Sequence, residues 1–270
     1  MTRDTHHATR STRSRSRGWV AAVGTGLAVL SVSVGVVNQS ATPAAAAERM
    51  SCFSYLERGF GALGAADPVA AEAAYREALQ LATTDELRFN SLFGLGSALA
   101  AQGRLDDALS PLQAAVEVKP DRAMAWVTLA GVRQDLGDLA GAASDLERAI
   151  VADPSLHDVV LDLGRLYSML GRHADAELTY SKGLARWPRD QELMLGLGVA
   201  RYNLSKLDGA EAAFRAVLAV DADHPRAHYG LALALLARGD RTGAENELKI
   251  LDDLDPSLAE RLRSEIDRVK

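Results

Sequence analysis

From Cys52 to Pro256, apolar residues recur three and four positions apart, the spacing that gathers them on one face of an amphipathic helix. The helical pattern is interrupted at short intervals. A Gly stands at Gly103, Gly137, Gly171 and Gly239, where a left-handed residue would end one helix. A second helical stretch follows each break and closes near Pro120, Pro154, Pro188 or Pro256, because proline cannot continue the hydrogen-bond ladder. The pattern therefore predicts pairs of helices rather than strands.

The pairs recur with a period of 34 residues, seen by aligning segments that begin at Phe89, Ala123, His157, Gln191 and Pro225. The seventh position is always Leu (Leu95, Leu129, Leu163, Leu197, Leu231), and the eighth is small (Gly96, Ala130, Gly164, Gly198, Ala232). At the twentieth stand Ala108, Ala142, Ala176, Ala210 and Ala244; at the twenty-fourth, the large residues Leu112, Leu146, Tyr180, Phe214 and Leu248. Small residues at the eighth and twentieth positions let paired helices approach closely. An additional unit begins at Cys52, with Tyr55, Gly59, Ala71, Tyr75 and Ala78 in register, three residues longer than the rest and without the closing Pro. No unit buries its apolar face alone, so the units are expected to stack into a solenoid.

These positions resemble the tetratricopeptide repeat (TPR), most closely where Leu163, Gly164, Tyr167, Ala176, Tyr180 and Pro188 fall together, with Trp126 filling the opening aromatic position one repeat earlier. The resemblance covers residues 52–256 and implies an all-α fold, a right-handed superhelix of six helix-turn-helix repeats near 52–85, 89–122, 123–156, 157–190, 191–224 and 225–258. Residues 257–270 carry Leu258, Leu262, Ile266 and Val269 on one stripe and read as a capping helix, with Ser257 and Glu260 as a capping box.

The resemblance also implies a concave groove lined by the first helix of each repeat. Its expected lining is Asn90, Phe93 and Ser97, then Met124, Val127 and Gln134, then Asp158, Leu161 and Arg165, then Glu192, Leu195 and Tyr202, and last Arg226 and Tyr229. Phe93, Val127, Leu161, Leu195 and Tyr229 form an apolar ladder in that reading, with packing against neighbouring helices as the alternative for each. TPR grooves that hold an acidic chaperone tail use Lys, Asn and Arg, whereas this groove carries Asp158, Asp162 and Glu192. An apolar or weakly basic peptide segment is the expected ligand.

Residues 1–47 stand apart from the repeats. Five Arg and one Asp lie before an uncharged run from Trp19 to Val37, followed by a small-residue zone in which Ala45 and Ala47 form an A-x-A site before Glu48. The order fits a signal peptide, and the length of the apolar run also fits an uncleaved N-terminal membrane anchor; the Arg, Ser and Thr bias is shared with transit peptides. Either of the first two readings makes the repeats extracytoplasmic: secreted, periplasmic or in the cell envelope. Cys52 is too far from the apolar run, and too close to Arg49, to suit a lipid-modified Cys, and a small packed residue is the plainer reading.

Composition narrows the function. The formal charge is -6, from 30 Lys and Arg against 36 Asp and Glu; without the leader it becomes -10, which gives nucleic acid no basic footprint. With leader, repeats and cap assigned, little chain remains for a catalytic domain, and no phosphate-binding loop, dinucleotide fingerprint, H-E-x-x-H or G-x-S-x-G is present. No catalytic or cofactor-binding residues are therefore assigned. The one metal-like constellation is His224 and His228 with Asp221 and Asp223, but Pro225 puts His224 ahead of the helix and His228 in a packed position, so no metal is assigned. The sequence predicts an extracytoplasmic, non-enzymatic scaffold that binds a partner protein in its groove during envelope or secretion-related assembly; the alternative is a self-associating module that forms a homo-oligomer.

Overall fold

The computed structural model describes residues 43–269, with side chains from Ser51 onward. Among these residues there are thirteen α-helices and no strand. The helices are α1 (Pro43–Gly64), α2 (Pro68–Gln80), α3 (Asp85–Ala101), α4 (Leu105–Val118), α5 (Ala123–Asp135), α6 (Leu139–Ala152), α7 (His157–Met169), α8 (His173–Arg186), α9 (Gln191–Asn203), α10 (Leu207–Leu218), α11 (Pro225–Ala237), α12 (Arg241–Leu254) and α13 (Pro256–Arg268). The proposed signal or anchor lies outside the described residues, except that α1 begins at Pro43, well before the expected start at Cys52. Among the described residues no helix is long and apolar enough to cross a membrane.

Local chemistry explains where the helices begin and end. Asp67, Thr84, Asp138, Asp190 and Asp240 each accept a hydrogen bond from a backbone N–H in the first turn of the helix that follows. At the C-terminus, Asp255 caps α13 by accepting from the amides of Ser257 and Leu258, with Pro256 in the first turn. This replaces the expected Ser257–Glu260 capping box: an acceptor ahead of Pro256 puts the helix start before Ser257. Gly103, Gly137, Gly171 and Gly239 all take positive φ, as the turn pattern predicts, while Ala66 and Ser205 occupy the same conformation (φ 58°) in repeats one and five. Pro111 is tolerated inside α4.

The chain divides into two compact units, residues up to Ser155 and residues from Leu156, so the boundary falls between repeats three and four. The core of the first unit gathers Leu56, Tyr75, Phe89, Phe93, Leu112, Val116, Leu129 and Val132. In the second, Phe214, Val217, Leu231, Leu235, Leu251, Leu262 and Ile266 pack together, with α13 lying against both α11 and α12. The residue at position twenty-four wedges between two first helices. Tyr75 lies between Gly59 and Gly94, Tyr180 between Gly164 and Gly196, and Phe214 between Gly198 and Gly230. A Cβ at Gly59 would sit 2.8 Å from the Tyr75 ring, and one at Gly196 would sit 2.5 Å from Tyr180, so glycine is required there by the ring rather than by φ.

Candidate functional site: the inner helix face

Within the first unit α1 touches α3 and α3 touches α5; within the second, α7 touches α9 and α9 touches α11. First helices thus form one layer in each unit, the layer expected to line the groove. Their close approach decides which side chains remain outside. Phe93, Leu161 and Leu195 are only 4%, 7% and 6% exposed, and Ser97 is buried with no partner for its hydroxyl among the described residues. Three of the five ladder positions therefore belong to the core. Phe93 stacks on Phe89 with ring centroids 5.8 Å apart. The physical reason is the spacing between first helices: a fifth-position side chain fills the seam and gains more from leaving water there than from facing it.

What stays accessible is mostly polar or aromatic. Asn90, Met124, Val127 and Tyr202 are half-buried, and Gln134, Asp158, Arg165 and Arg226 are exposed. Tyr229 is half-buried beneath the Arg261 guanidinium of α13, 5.4 Å from its ring centroid. Val199, 42% exposed, lies on the same stripe of α9 as Glu192, Leu195 and Tyr202 and escaped the expected set. Its position, four residues after Leu195, could have revealed it.

The expected acidic character is largely neutralised. Glu192 pairs with Arg165 of α7 at 3.2 Å and with Arg226 of α11, and Arg165 also reaches Asp162 at 3.5 Å. A charge ladder thus runs across three successive first helices of the second unit, and each acid in it has a base beside it. Such exposed pairs fix side-chain geometry more than they stabilise the fold.

The histidines at the start of α11 have structural partners. His224 is the N-cap, with Nδ1 accepting from the Ala227 amide at 3.3 Å. His228 is buried, with Nδ1 2.6 Å from Glu247 Oε2 and Nε2 2.8 Å from the Ala222 carbonyl. Among the described residues no group of three or more His, Cys, Asp or Glu is arranged to hold a metal ion. Cys52 is fully buried, its thiol donates to the Ala78 carbonyl at 3.3 Å, and burial pushes its pKa up, all of which suit a packed residue rather than a reactive one.

Paired helices, the repeated wedge and a layer of first helices define a helical-repeat interaction scaffold. The tetratricopeptide repeat pattern matches residues 56–123, 93–157, 127–191, 161–218 and 195–259, and the chain belongs to that family. It is 33% identical over 192 residues to cellulose synthase operon protein C of Xanthomonas axonopodis pv. citri, a match covering 68% of this chain but only 10% of that protein. The fold is shared with a tetratricopeptide repeat protein of Parabacteroides merdae (TM-score 0.59, 20% identity, 80% of this chain and 86% of that one). It is likewise shared with YrrB, described as a TPR protein with an unusual peptide-binding site (TM-score 0.59, 22% identity, 72% of this chain and all of that one). A repeat array of this family is a protein–protein interaction scaffold.

Proposed function

We propose that this chain is an extracytoplasmic scaffold that takes up a segment of a partner protein on the inner helix face of its second unit, in cell-envelope or secretion-related assembly. The leader pattern of residues 1–47 supports the location. The observation that carries the binding reading is the exposed stripe of α9 and its neighbours: Val199 and Tyr202 supply apolar contact beside the Arg165–Glu192–Arg226 ladder, whose exposed ends supply hydrogen bonds. The peptide-binding site named for YrrB, and the operon named for the Xanthomonas protein, point the same way.

Affinity capture from membranes, with a tag at the C-terminus, tests the reading. Replacing Val199 and Tyr202 with Ser and Arg165 with Ala should abolish capture of the wild-type partner while the helical circular-dichroism signal stays intact. Capture that survives all three changes would sink the site. Phe93 and Leu161 are unsuitable targets because their loss opens the core. The alternative, self-association into a homo-oligomer, predicts a concentration-dependent mass in light scattering, and a strict monomer at high concentration excludes it.

A further inference from the structure

His157 is the first residue of α7, and its ring joins two helix starts of the second unit. Nε2 lies 2.7 Å from Asp190 Oδ2 and Nδ1 lies 3.1 Å from Asp158 Oδ1. Asp190 is the N-cap of α9, and its other oxygen accepts from the Leu193 amide at 2.7 Å. One carboxylate thus caps the fifth repeat and holds the first residue of the fourth. Trp187 closes the site, edge-on to the imidazole at 4.9 Å, with the Arg186 guanidinium over its ring at 5.6 Å.

Proton counting gives this arrangement a state. An ionised carboxylate only accepts hydrogen bonds, so two carboxylates facing the two ring nitrogens require both nitrogens to donate, which only the imidazolium does. A neutral ring keeps at most one of the two bonds, and that one without charge assistance. The charges facing the ring are Asp158 on its own helix and Asp190 at the start of α9, while the Arg186 guanidinium at the end of α8 lies over the Trp187 ring. The N-terminal end of α7 disfavours a positive charge, and two adjacent carboxylates outweigh it.

We propose that His157 is a proton-operated latch between repeats four and five: protonated, it ties the start of α7 to the cap of α9; neutral, it loosens that tie. The hydrogen bond to Asp158, and behind it that to Asp190, raise its pKa above the ordinary 6.5 against the opposing effect of burial. A histidine whose pKa is raised by folding contributes stability that is complete below 6.5 and is lost as pH rises through the raised value, so the latch closes on acidification and opens toward alkaline pH.

The test uses the full chain. Titration of the histidine Cε1 protons by NMR should show one resonance, missing in His157→Gln, whose midpoint lies above that of an ordinary histidine; Asp190→Asn, which keeps a capping side chain but removes the charge, should lower that midpoint. Thermal midpoints of wild type and His157→Gln should differ by about 2–4 °C at about pH 5.5 and converge toward about pH 8.5. A midpoint at or below the ordinary value, or no response to Asp190→Asn, would overturn the latch. If His157→Gln does not fold, the wild-type and Asp190→Asn titrations still decide, since the latch resonance is the one that moves between them.

Discussion

Arg133 in the first unit and Arg201 in the second occupy the same position two repeats apart, yet they do different work. Each lies across a glycine eight residues on, donating to the carbonyl of Gly141 at 3.4 Å or Gly209 at 3.3 Å. Arg133 then turns inward within its own repeat and holds both oxygens of the buried Asp145 at 2.8 Å. Arg201 instead reaches back to Glu177 of the preceding repeat at 3.1 Å, where Lys206 joins it at 2.5 Å. The sequence around each explains the choice. Counted by repeat position, the place of Glu177 is taken by Leu109 ahead of Arg133, and the place of Asp145 is taken by Ala213 after Arg201. Arg133 therefore satisfies a buried acid inside a repeat, whereas Arg201 joins repeats. Glu72 with Gln102 and Arg104, and Glu211 with Arg238, are further joints of the second kind.

The largest test of this contrast removes the arginine. Arg133→Met leaves Asp145 buried without a partner and should destabilise the first unit by about 3–5 kcal/mol. Arg201→Met leaves Glu177 with Lys206 at a partly exposed site and should cost only about 1 kcal/mol. Urea unfolding followed by circular dichroism compares the two, and equal losses would erase the distinction.

The wedge tyrosines offer a second contrast, expected to differ in sign. The Tyr75 hydroxyl is buried with no partner among the described residues, and burial pushes its pKa well above the usual phenol range. Tyr180 is buried too and burial raises its pKa, but Ser168 beside its hydroxyl opposes that shift. Tyr75→Phe should therefore be neutral or stabilising by up to about 1 kcal/mol, whereas Tyr180→Phe should lose about 0.5–1.5 kcal/mol. The left-handed turn residues give a similar size of effect in both units: Ala66→Gly and Ser205→Gly should each raise stability by several tenths of a kcal/mol to about 1 kcal/mol by removing a strained φ. Thermal melts suffice to rank all four variants.

A last contrast concerns pH, and again the two regions should move oppositely. Burial, outweighing Arg133, pushes Asp145 up to about 6, so its contribution is complete below 3.8 and is lost as pH rises through about 6. Lys206 first, then Arg201, hold Glu177 below 4.5, so its contribution is present above 4.5 and is lost as pH falls through the lowered value. The stability gap between wild type and Asp145→Asn should widen on acidification, while that between wild type and Glu177→Gln should narrow. Parallel denaturation series over pH measure both gaps.

Much of this architecture is legible in the local sequence pattern. Helix pairs, the glycine turns at Gly103, Gly137, Gly171 and Gly239, and the small-residue contacts at Ala108, Ala142, Ala176, Ala210 and Ala244 follow from local periodicity and sterics. The groove was less legible. Phe93 and Leu161 are apolar and lie on the expected stripe, but whether a stripe residue faces a seam or an opening depends on how closely adjacent first helices approach. The pairing of Glu192 was not legible, because its partners, Arg165 and Arg226, lie one repeat away on either side. His157 showed only a helix start, since its contact with Asp190 is made across repeats.

The sequence by itself determined the unit of construction: a repeat that recurs every 34 residues is one short-range solution to helix formation, turn geometry and close packing, written six times. The tertiary structure decided the partners between units: which acid each arginine finds, which tyrosine hydroxyl is left alone, and which apolar residue stays in water. Those outcomes depend on distances between residues some thirty positions apart, which no local pattern encodes, and on burial, which sets what each pairing or unpaired group is worth.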